Sequence, residues 1–279
     1  MDTRLLSLSA VPRSKRPVIV ILSGAGLSAS AQNGIPVWRS ATAESRMLSE
    51  AFDASSAAAD PKTAIDGWNR MLTFCQKAKP NRAHIALADF MRKYRSKAEI
   101  VHLTQNIDGL SEAAGDTSVI HLHGVMSRAR CTRCGSVFPA PPQYGKTASC
   151  PVCSTKGVSV RPDVVLTGEE LRRFDFCCRE AERADIFIAV GTSGQTEPAS
   201  SLVFSAACCG CRDRILITKA VPEEDPSDGF GIGRFAGLFS RILLGNAEEL
   251  LPAVLREVGR HIDAVVPRQA DANPEDGEA

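Results

Sequence analysis

Short apolar runs recur along this chain, and each of them ends in small or polar residues. The first occupies residues 18–22, where an uninterrupted β-branched run predicts a strand buried on both faces. Further runs occupy residues 100–103, 186–190, 215–217 and 240–244, and a shorter one starts at Val119. Helical segments lie between these runs. The alternation predicts an α/β fold with a mostly parallel, doubly wound sheet.

A helical insert is predicted over about residues 41–98. Its first half is rich in Ala, Ser and Asp, with apolar residues at helical spacing. Pro80 and Asn81 end one helix and begin another, with Asn81 as the N-cap. His84 is expected to pack in that second helix as an ordinary, partly buried histidine. A final helix is predicted from Glu248 to about residue 258.

Polar side chains follow two of the predicted strands. Gln105, Asn106 and Asp108 come directly after the run at 100–103, and His123 follows the run that starts at Val119. Any one of them alone could serve a turn or a hydrogen bond near the core. Their combination at the carboxyl edge of a parallel sheet, where open α/β folds bind ligands, predicts a functional site.

Two loops of small residues are candidates for nucleotide binding. Residues 23–28, with Gly24 and Gly26, follow the first strand, and residues 191–193 follow another. Glycines let the backbone approach a pyrophosphate, and N–H groups at the start of a helix supply donors and a favourable dipole. A two-glycine loop is weak evidence by itself, since many tight turns have this composition.

Ten cysteines occur in the chain, and four of them have metal-ligand spacing. Cys131, Cys134, Cys150 and Cys153 form two Cys-x-x-Cys pairs with fifteen residues between them, which is the spacing of a structural zinc ribbon. Four thiolates would complete a tetrahedral shell, so we expect the metal to stabilise the fold and take no part in chemistry. The other cysteines are expected to be small buried hydrophobes in a reducing compartment.

Composition argues against several classes of protein. The 33 basic and 32 acidic residues leave a net charge of +1, which gives no overall field for binding nucleic acid or an anionic membrane. The sequence has no apolar run of membrane-spanning length, and residues 1–17 lack the apolar core of a signal peptide. We therefore expect a cytoplasmic protein with no nucleic-acid or membrane partner.

Four segments together resemble the sirtuin family of NAD-dependent protein deacylases: the glycine loop at 24–26, the polar segment 104–108, the sequence 121–124 and the cysteine tetrad. The resemblance extends from about Val18 to Leu251. It implies a Rossmann-like, doubly wound parallel sheet that binds NAD, with a smaller lobe formed by a zinc ribbon and the helical insert.

The loop at 34–39 matches the family's cofactor-binding loop in part. Arg39 is the expected residue, whereas Val37 and Trp38 depart from the usual ones. Trp38 keeps an aromatic wall where the family uses Phe to shield the reactive sugar carbon from water. The cofactor-binding residues that the resemblance implies are Gly24, Ala25, Gly26, Ser28, Trp38, Arg39, Gln105, Asn106, Ile107, Asp108, Gly191, Thr192, Ser193, Thr218 and Ala247.

The resemblance also implies a role for each polar residue. Asp108 and Ile107 would hold the nicotinamide carboxamide, and Asn106 and Gln105 would order the ribose and nearby water. His123 would remove a proton from a ribose hydroxyl, which suits an imidazole with an unperturbed pKa of about 6.5. The expected catalytic residues are thus His123, Asn106 and Asp108. Thr218 stands where the family usually has an Asn for the adenosine ribose.

The expected substrate is the acylated lysine of a protein or peptide. The residues that the resemblance assigns to it are Val164, Val165, Thr167, Gly168, Glu169, Trp68 and Met71. Members that remove negatively charged acyl groups carry Tyr and Arg where this chain has Trp68 and Met71, so neutral acyl chains, acetyl or longer, are expected. Leu166 and Thr167 stand where the family commonly has two aromatic residues, which implies a wider lysine channel.

The implied activity is NAD-dependent protein-lysine deacylation, with transfer of the acyl group to ADP-ribose and release of nicotinamide. An ADP-ribosyltransferase or NAD hydrolase on the same fold is the main alternative, and the retained His123 argues against it. A non-catalytic nucleotide-binding module is a second alternative, which the complete set of Asn106, Asp108 and His123 disfavours.

The predicted organisation is a leader at 1–16, a catalytic domain at 17–266 and a disordered, acidic tail at 267–279. Within the catalytic domain, the zinc-binding insert covers about residues 126–157. Residues 160–165 are expected to return to the main sheet after this insert.

Overall fold

The structure is a computed structural model that describes residue 8 and residues 16–29, 34–36, 42–194, 198–220 and 236–266. Most of the predicted leader and all of the predicted tail lie outside the described residues. Among the described helices, none has the length and apolar character needed to cross a membrane.

A six-stranded sheet forms the centre of the larger lobe. Its strands in chain order are β1 (Val18–Ser23), β2 (Glu99–Thr104), β3 (Ile120–His121), β7 (Ile186–Val190), β8 (Asp213–Thr218) and β9 (Arg241–Leu244). Their spatial order is β3-β2-β1-β7-β8-β9, and every neighbouring pair is parallel. The prediction of a doubly wound parallel sheet is confirmed, and each apolar run belongs to one of these strands.

A second, three-stranded sheet lies in the smaller lobe. It consists of β4 (Gly124–Cys131), β5 (Val137–Pro139) and β6 (Val160–Val164), in the order β5-β4-β6. The expectation that residues 160–165 return to the main sheet was wrong, because β6 pairs antiparallel with β4. A short segment rich in valine predicts a strand, but it does not specify the sheet in which that strand pairs.

The helices that the structure describes are α1 (Ala25–Ser28), α2 (Ala43–Ala51), α3 (Ala54–Ala59), α4 (Pro61–Lys77), α5 (Arg82–Tyr94), α6 (Leu110–Ala113), α7 (Phe174–Arg183), α8 (Ala199–Cys208) and α9 (Ala247–Val265). The predicted cap of α5 is confirmed, since the Asn81 side chain accepts from the N–H groups of Ala83 and His84. Helix α9 is longer than predicted and contains Pro252.

Strand β1 sends alternate side chains into two separate cores. Ile19 and Ile21 pack with residues of α5 and α9 on one face, whereas Val20 and Leu22 pack with residues of α7 and α8 on the other. All four are fully buried, and burying one such side chain contributes about 1.5–3 kcal/mol. Helix α5, which fell within the predicted insert of 41–98, therefore packs on the large sheet.

The helical and zinc-binding inserts share a third core. Side chains from α2 and α4 pack there against β4, β6 and the loop between the cysteine pairs. Asn69 on α4 holds Tyr144 of that loop in two ways: its Nδ2 donates to the Tyr144 carbonyl at 3.1 Å, and its Oδ1 accepts from the Tyr144 N–H at 2.7 Å. Trp68 meets the Tyr144 ring edge-on, with centroids 6.1 Å apart. The two inserts thus form one small lobe.

The remaining cysteines differ in their exposure. Cys177 and Cys211 are buried as expected, but Cys208 and Cys209 are exposed at the end of α8. The expectation of burial was wrong for these two, because they lie at the C-terminal end of α8 and at its C-cap.

We predict that Asn69→Ala destabilises the protein, whereas Tyr144→Phe does not. The first change removes two hydrogen bonds worth about 0.5–1.5 kcal/mol each. The second removes a buried hydroxyl for which the described residues provide no hydrogen-bond partner. Thermal and urea unfolding of both variants measures the difference. Equal destabilisation by the two substitutions would contradict the role assigned to Asn69.

Candidate active site

Parallel pairing brings the predicted site residues to one edge of the large sheet. The carboxyl ends of its strands lead, in chain order, to residues 24–28, 105–108, 121–123, 191–193, 218 and 245–247. The strand order runs outward from β1 to β2 and β3 in one direction, and from β7 to β8 and β9 in the other. Ligands of doubly wound sheets bind at such a switch point, which here lies between β1 and β7.

The two glycine loops touch at this switch point through their backbones. The Gly24 N–H donates to the Val190 carbonyl at 2.9 Å, and the Gly26 N–H donates to the Gly191 carbonyl at 2.7 Å. A Cβ on Gly26 would lie 2.7 Å from the Cα of Gly191. Gly191 itself has a φ of 65°, in the left-handed region that favours glycine. The absence of side chains at this junction suits close approach of a dinucleotide to the backbone.

The segment after β2 is fixed on both sides. The Gln105 N–H donates to the Ser23 carbonyl at 2.8 Å, and the Gln105 side chain accepts from the Thr192 hydroxyl at 2.9 Å. The Asn106 N–H donates to the Thr104 hydroxyl at 3.1 Å. Gln105 is thereby bound to β1 and to the glycine loop that follows β7.

A buried chain of hydrogen-bonded side chains lies behind residues 105–108, on β1, on β2 and after α6. The Asp116 carboxylate contacts His102 Nδ1 at 2.6 Å, and His102 Nε2 lies 2.8 Å from the Ser23 hydroxyl. Ser23 in turn donates to Thr104 at 2.8 Å. All four side chains are buried, so they hold the segment rather than contact a substrate. Sequence patterns did not reveal this chain, because Ser23 lies 79 to 93 positions before the other three residues and meets them only in the folded sheet.

Ser28 connects the loop after β1 to the segment after β2. Its hydroxyl accepts from Asn106 Nδ2 at 3.0 Å and also hydrogen-bonds to Asp108. His84 Nε2 lies 3.4 Å from the same oxygen. Burial lowers the pKa of His84 to about 4, with a smaller contribution from the charge of His102, so this histidine is neutral near pH 7. His84 is buried and packs structurally, as predicted.

A pocket opens beside these side chains. It is lined by Ala25, Ser28, Ile35, Met71, Cys75, Asn106, Ile107 and Asp108. Cys75 was missed as a site residue, although it lies one helical turn after Met71 on α4 and shares its face. Burial raises the pKa of the Cys75 thiol to about 12, so it acts as a neutral wall of the pocket.

Asp108 is the carboxyl group of the pocket. Burial raises its pKa from 3.8, while the Leu110 N–H, the Ser28 hydroxyl and the charge of His121 oppose that rise. Its Oδ1 accepts from the Leu110 N–H at 3.0 Å, which fixes the carboxylate at the start of α6. A buried carboxylate with spare acceptor positions suits an amide N–H₂ group such as that of a carboxamide.

His123 lies where β3 joins the small lobe. Its Nδ1 lies 2.9 Å from the Gln105 carbonyl, which can only accept, so Nδ1 carries a proton. The lone pair of the neutral ring is then on Nε2, which is the nitrogen that can take up a proton. The His123 carbonyl accepts from the Val165 N–H at 2.8 Å. His123 is therefore joined directly to the expected substrate segment.

The expected substrate segment, residues 164–169, is held by the small lobe. Leu166 is buried in the small-lobe core, and Thr167 pairs through its backbone with Phe52 and Ala54 of the helical insert. The Glu169 carboxylate accepts from the Leu166 N–H at 2.9 Å and from Arg161 at 2.7 Å. These contacts hold the segment as a closed turn beside His123.

Not every expected site residue reaches the pocket. Trp68 is 4% exposed, and its indole N–H donates to the Ala51 carbonyl at 2.8 Å, so it lies in the small-lobe core behind Met71. Thr218 lies at the end of β8 and donates to the Ala220 carbonyl, and Ala247 begins α9. Trp38 and Arg39 lie outside the described residues.

The four predicted metal ligands converge. The Sγ atoms of Cys131, Cys134, Cys150 and Cys153 all lie within 4.8 Å of one another. Two of the Sγ pairs, Cys131–Cys153 and Cys134–Cys150, are 3.6 Å apart. A tetrahedron with Zn–S bonds of about 2.3 Å has edges of about 3.8 Å, so the donor set fits zinc.

We predict opposite stability effects for Asp108→Asn and Asp116→Asn. A raised carboxylate pKa means that stability falls as pH rises through that pKa, so ionised Asp108 is a cost at neutral pH. Burial raises the pKa of Asp116, but the hydrogen bond and charge of His102 and the hydrogen bonds from Ser118 together lower that pKa below 3.8, so ionised Asp116 contributes stability.

Thermal unfolding at neutral pH should therefore show an equal or higher Tm for Asp108→Asn and a lower Tm for Asp116→Asn. The Asp108 variant should nevertheless bind NAD more weakly. A fall in Tm of the same size for both variants would refute this assignment of the buried charges.

The sequence matches the model of the Sir2 family over residues 24–198. It is 34% identical to NAD-dependent protein deacylase 1 of Caldanaerobacter subterraneus subsp. tengcongensis, over 81% of this chain and 90% of the relative. It is 36% identical to the NAD-dependent protein deacylase of Thermus thermophilus, over 75% of this chain and 80% of the relative.

Two solved structures show the same fold. A crystal structure of a Sir2 homolog–NAD complex is 31% identical, with a TM-score of 0.72, covering 88% of this chain and 90% of that chain. Sir2Af2 bound to a myristoylated histone peptide is 26% identical, with a TM-score of 0.62, covering 88% and 92%. The family match spans more than half of the sequence and includes the polar cluster and the cysteine tetrad. The chain therefore belongs to the Sir2, or sirtuin, family.

Proposed function

We propose that this protein is an NAD-dependent protein-lysine deacylase that transfers the acyl group to ADP-ribose. The observation that carries the proposal is the placement of Asn106 and Asp108 in one pocket, with His123 bound to the carbonyl of the adjacent Gln105 and the two glycine loops at the same edge of the sheet. Relatives named as NAD-dependent deacylases, and a homologue solved with NAD, support it.

The chain's residues divide the work by position. Asp108 and the Ile107 backbone would hold the nicotinamide carboxamide in the pocket, where burial strengthens each hydrogen bond. Asn106, held by Ser28, would orient the ribose. Bound NAD supplies the electrophilic ribose carbon and the acceptor hydroxyl. His123 would take the proton of that hydroxyl at Nε2, while Gln105 holds its Nδ1–H.

The acyl-lysine would enter between the lobes along residues 164–169. A homologue solved with a myristoylated histone peptide supports a peptide substrate and room for a long chain. Met71, which the resemblance places beside the acyl group, is an apolar side chain on the wall of the pocket proposed for nicotinamide, and Trp68 is buried behind it. A negatively charged acyl group would find no bidentate donor there, so neutral acyl groups fit better.

We further propose that the cysteine tetrad holds a structural zinc ion. The N–H groups of Val152 and Cys153 point to Cys150 Sγ at 3.4 and 3.5 Å, which favours the thiolate form that binds metal. With four protein sulfurs the shell is complete, so the metal would fix β4 and the loop that carries Tyr144.

His123→Ala and His123→Asn should each lose deacylation by about 10²–10⁴-fold, because both lack the base. His123→Asn retains a donor for the Gln105 carbonyl, so its affinity for NAD should stay close to that of the wild type. Steady-state rates by mass spectrometry and NAD titration by calorimetry measure the two effects. Near-normal turnover of either variant would exclude His123 as the base.

Cys131→Ser should lose bound zinc and soluble, folded protein together, because structural zinc contributes about 10–16 kcal/mol of binding energy in zinc-finger peptides. Cys208→Ser, at an exposed cysteine outside the tetrad, is the matched control and should retain both. Metal content and Tm are the measurements. A metal-free variant that is folded and fully active would refute a structural role for the ion.

Neutral acyl chains should be preferred over succinyl on one common peptide. Each additional buried methylene contributes about 0.8 kcal/mol, or about fourfold in kcat/KM, until the channel is filled. Met71→Arg should raise the succinyl-to-acetyl ratio of kcat/KM, whereas Met71→Leu, which adds no charge, should not. A wild-type preference for succinyl would contradict this interpretation of the pocket.

A further inference from the structure

His121, two residues before the proposed base, makes two hydrogen bonds that the mechanism above does not use. Its Nδ1 lies 2.8 Å from the Asn106 carbonyl, and its Nε2 lies 2.9 Å from the Glu112 carboxylate. The His121 side chain is 13% exposed, and that of Glu112 is 40% exposed. The imidazole therefore bridges the segment after β2 and helix α6.

Both contacts of the ring are with acceptors. A carbonyl oxygen and an ionised carboxylate can only accept, so each ring nitrogen must donate. A neutral imidazole has one N–H, and only the imidazolium has two. The two distances are thus satisfied together when His121 is protonated and Glu112 is ionised. The other arrangement, a protonated Glu112 that donates to a neutral ring, is disfavoured because the pKa of Glu112 is lowered by its bond to His121.

The charged groups around His121 support this state. Burial works against the charged ring, but the hydrogen bond and charge of Glu112, the Asn106 carbonyl and the charge of Asp108 raise its pKa above 6.5. Burial likewise opposes ionisation of Glu112, yet the bond to His121 lowers its pKa below 4.5. Asp116 is the other carboxylate acting on Glu112, and it raises that pKa.

The bridge reaches two residues of the cofactor site. Asn106 is fixed at its N–H by Thr104 and at its side chain by Ser28, and His121 fixes its carbonyl. The positive ring also lowers the pKa of Asp108, which burial would otherwise raise further. Glu112 lies on α6, which begins just after Asp108.

We propose that His121 is a positioning residue of the cofactor site: held as an imidazolium by Glu112, it fixes the Asn106 carbonyl and helps to keep Asp108 ionised. The inference rests on the proposed function for the identity of the ligand. It adds a second histidine to the site. The two histidines need opposite protonation states, because His121 must be protonated to donate twice, whereas His123 must be neutral to act as a base.

The proposal predicts a particular pH dependence. As pH rises through the raised pKa of His121, the ring keeps one proton, and the ionised Glu112 is the stronger acceptor for it. The Asn106 carbonyl then loses its donor, so NAD affinity should fall on the alkaline side. Deprotonation of His123 changes activity in the other direction, which separates the two histidines.

The first test is a histidine NMR titration of the protein without NAD. The chain has five histidines, so His121 is assigned by its substitution. Its pKa should lie above 6.5 in the wild type and fall in Glu112→Gln. A pKa at or below 6.5, or one unchanged by Glu112→Gln, would overturn the imidazolium assignment.

The second test compares two substitutions of His121. Asn places a donor near the position of Nδ1, and Gln places one near Nε2. His121→Asn should bind NAD nearly as well as the wild type and show no alkaline weakening. His121→Gln retains the Glu112 contact but releases Asn106, so its NAD affinity should fall by about tenfold or more.

Calorimetric NAD binding between about pH 6 and pH 9 measures both variants without turnover, with Tm as the control for folding. Equal affinity of the Asn and Gln variants, or the wild-type alkaline fall in His121→Asn, would overturn the proposal. A wild type that shows the expected pH-dependent NAD binding but no deacylation would instead contradict the proposed function alone.

Discussion

Parallel pairing of β1 with β2 on one side and β7 on the other is the constraint on which the site depends. Because these strands are parallel, the loops that follow them meet at one edge, and because the order reverses at β1, a crevice opens there. The glycine loops then pack backbone to backbone, at a distance that excludes any side chain on Gly26. The positions of Asn106 and Asp108 follow from this register, and the pairing of β3 with β2 adds His123 at the same edge.

The polar side chains at this edge of the sheet are held in place by hydrogen bonds as well as by burial. Asn106 is anchored at three points, and Gln105 is anchored through its N–H and side chain. Such anchoring limits the rotamers of groups that must meet a ligand in one geometry. The ionised Asp108 has a cost in stability, which the tightly packed cores on both faces of β1 offset. The cores on the sheet thus stabilise the fold, whereas the buried carboxylate in the pocket destabilises it.

Much of the fold follows from the sequence because its signals are local. The buried strands were evident from continuous apolar runs, and the cysteine tetrad from spacing alone. The sequence did not reveal the strand with which β6 pairs or the buried position of Trp68, because both depend on contacts between segments far apart in the chain. A run of residues 160–165 looks the same in either sheet, and an indole at helical spacing does not reveal which core receives it.

The site was predictable in its types of residue but not in its connections. Polar residue types at the ends of strands predict a functional site, and here they are Gln105, Asn106, Asp108 and His123. The bridge from Glu112 through His121 to Asn106 was not visible, because it needs the three-dimensional placement of α6 beside β3. His84 shows the reverse case, in which a histidine near the site serves packing and is neutral through burial.

The central claim is that this edge transfers an acyl group from lysine to ADP-ribose. The most direct measurement is a product analysis by mass spectrometry of the wild-type protein with NAD and an acetylated peptide. The account predicts free lysine peptide, nicotinamide and O-acetyl-ADP-ribose in equal amounts. An ADP-ribosylated protein, or free ADP-ribose with the peptide still acetylated, would contradict it.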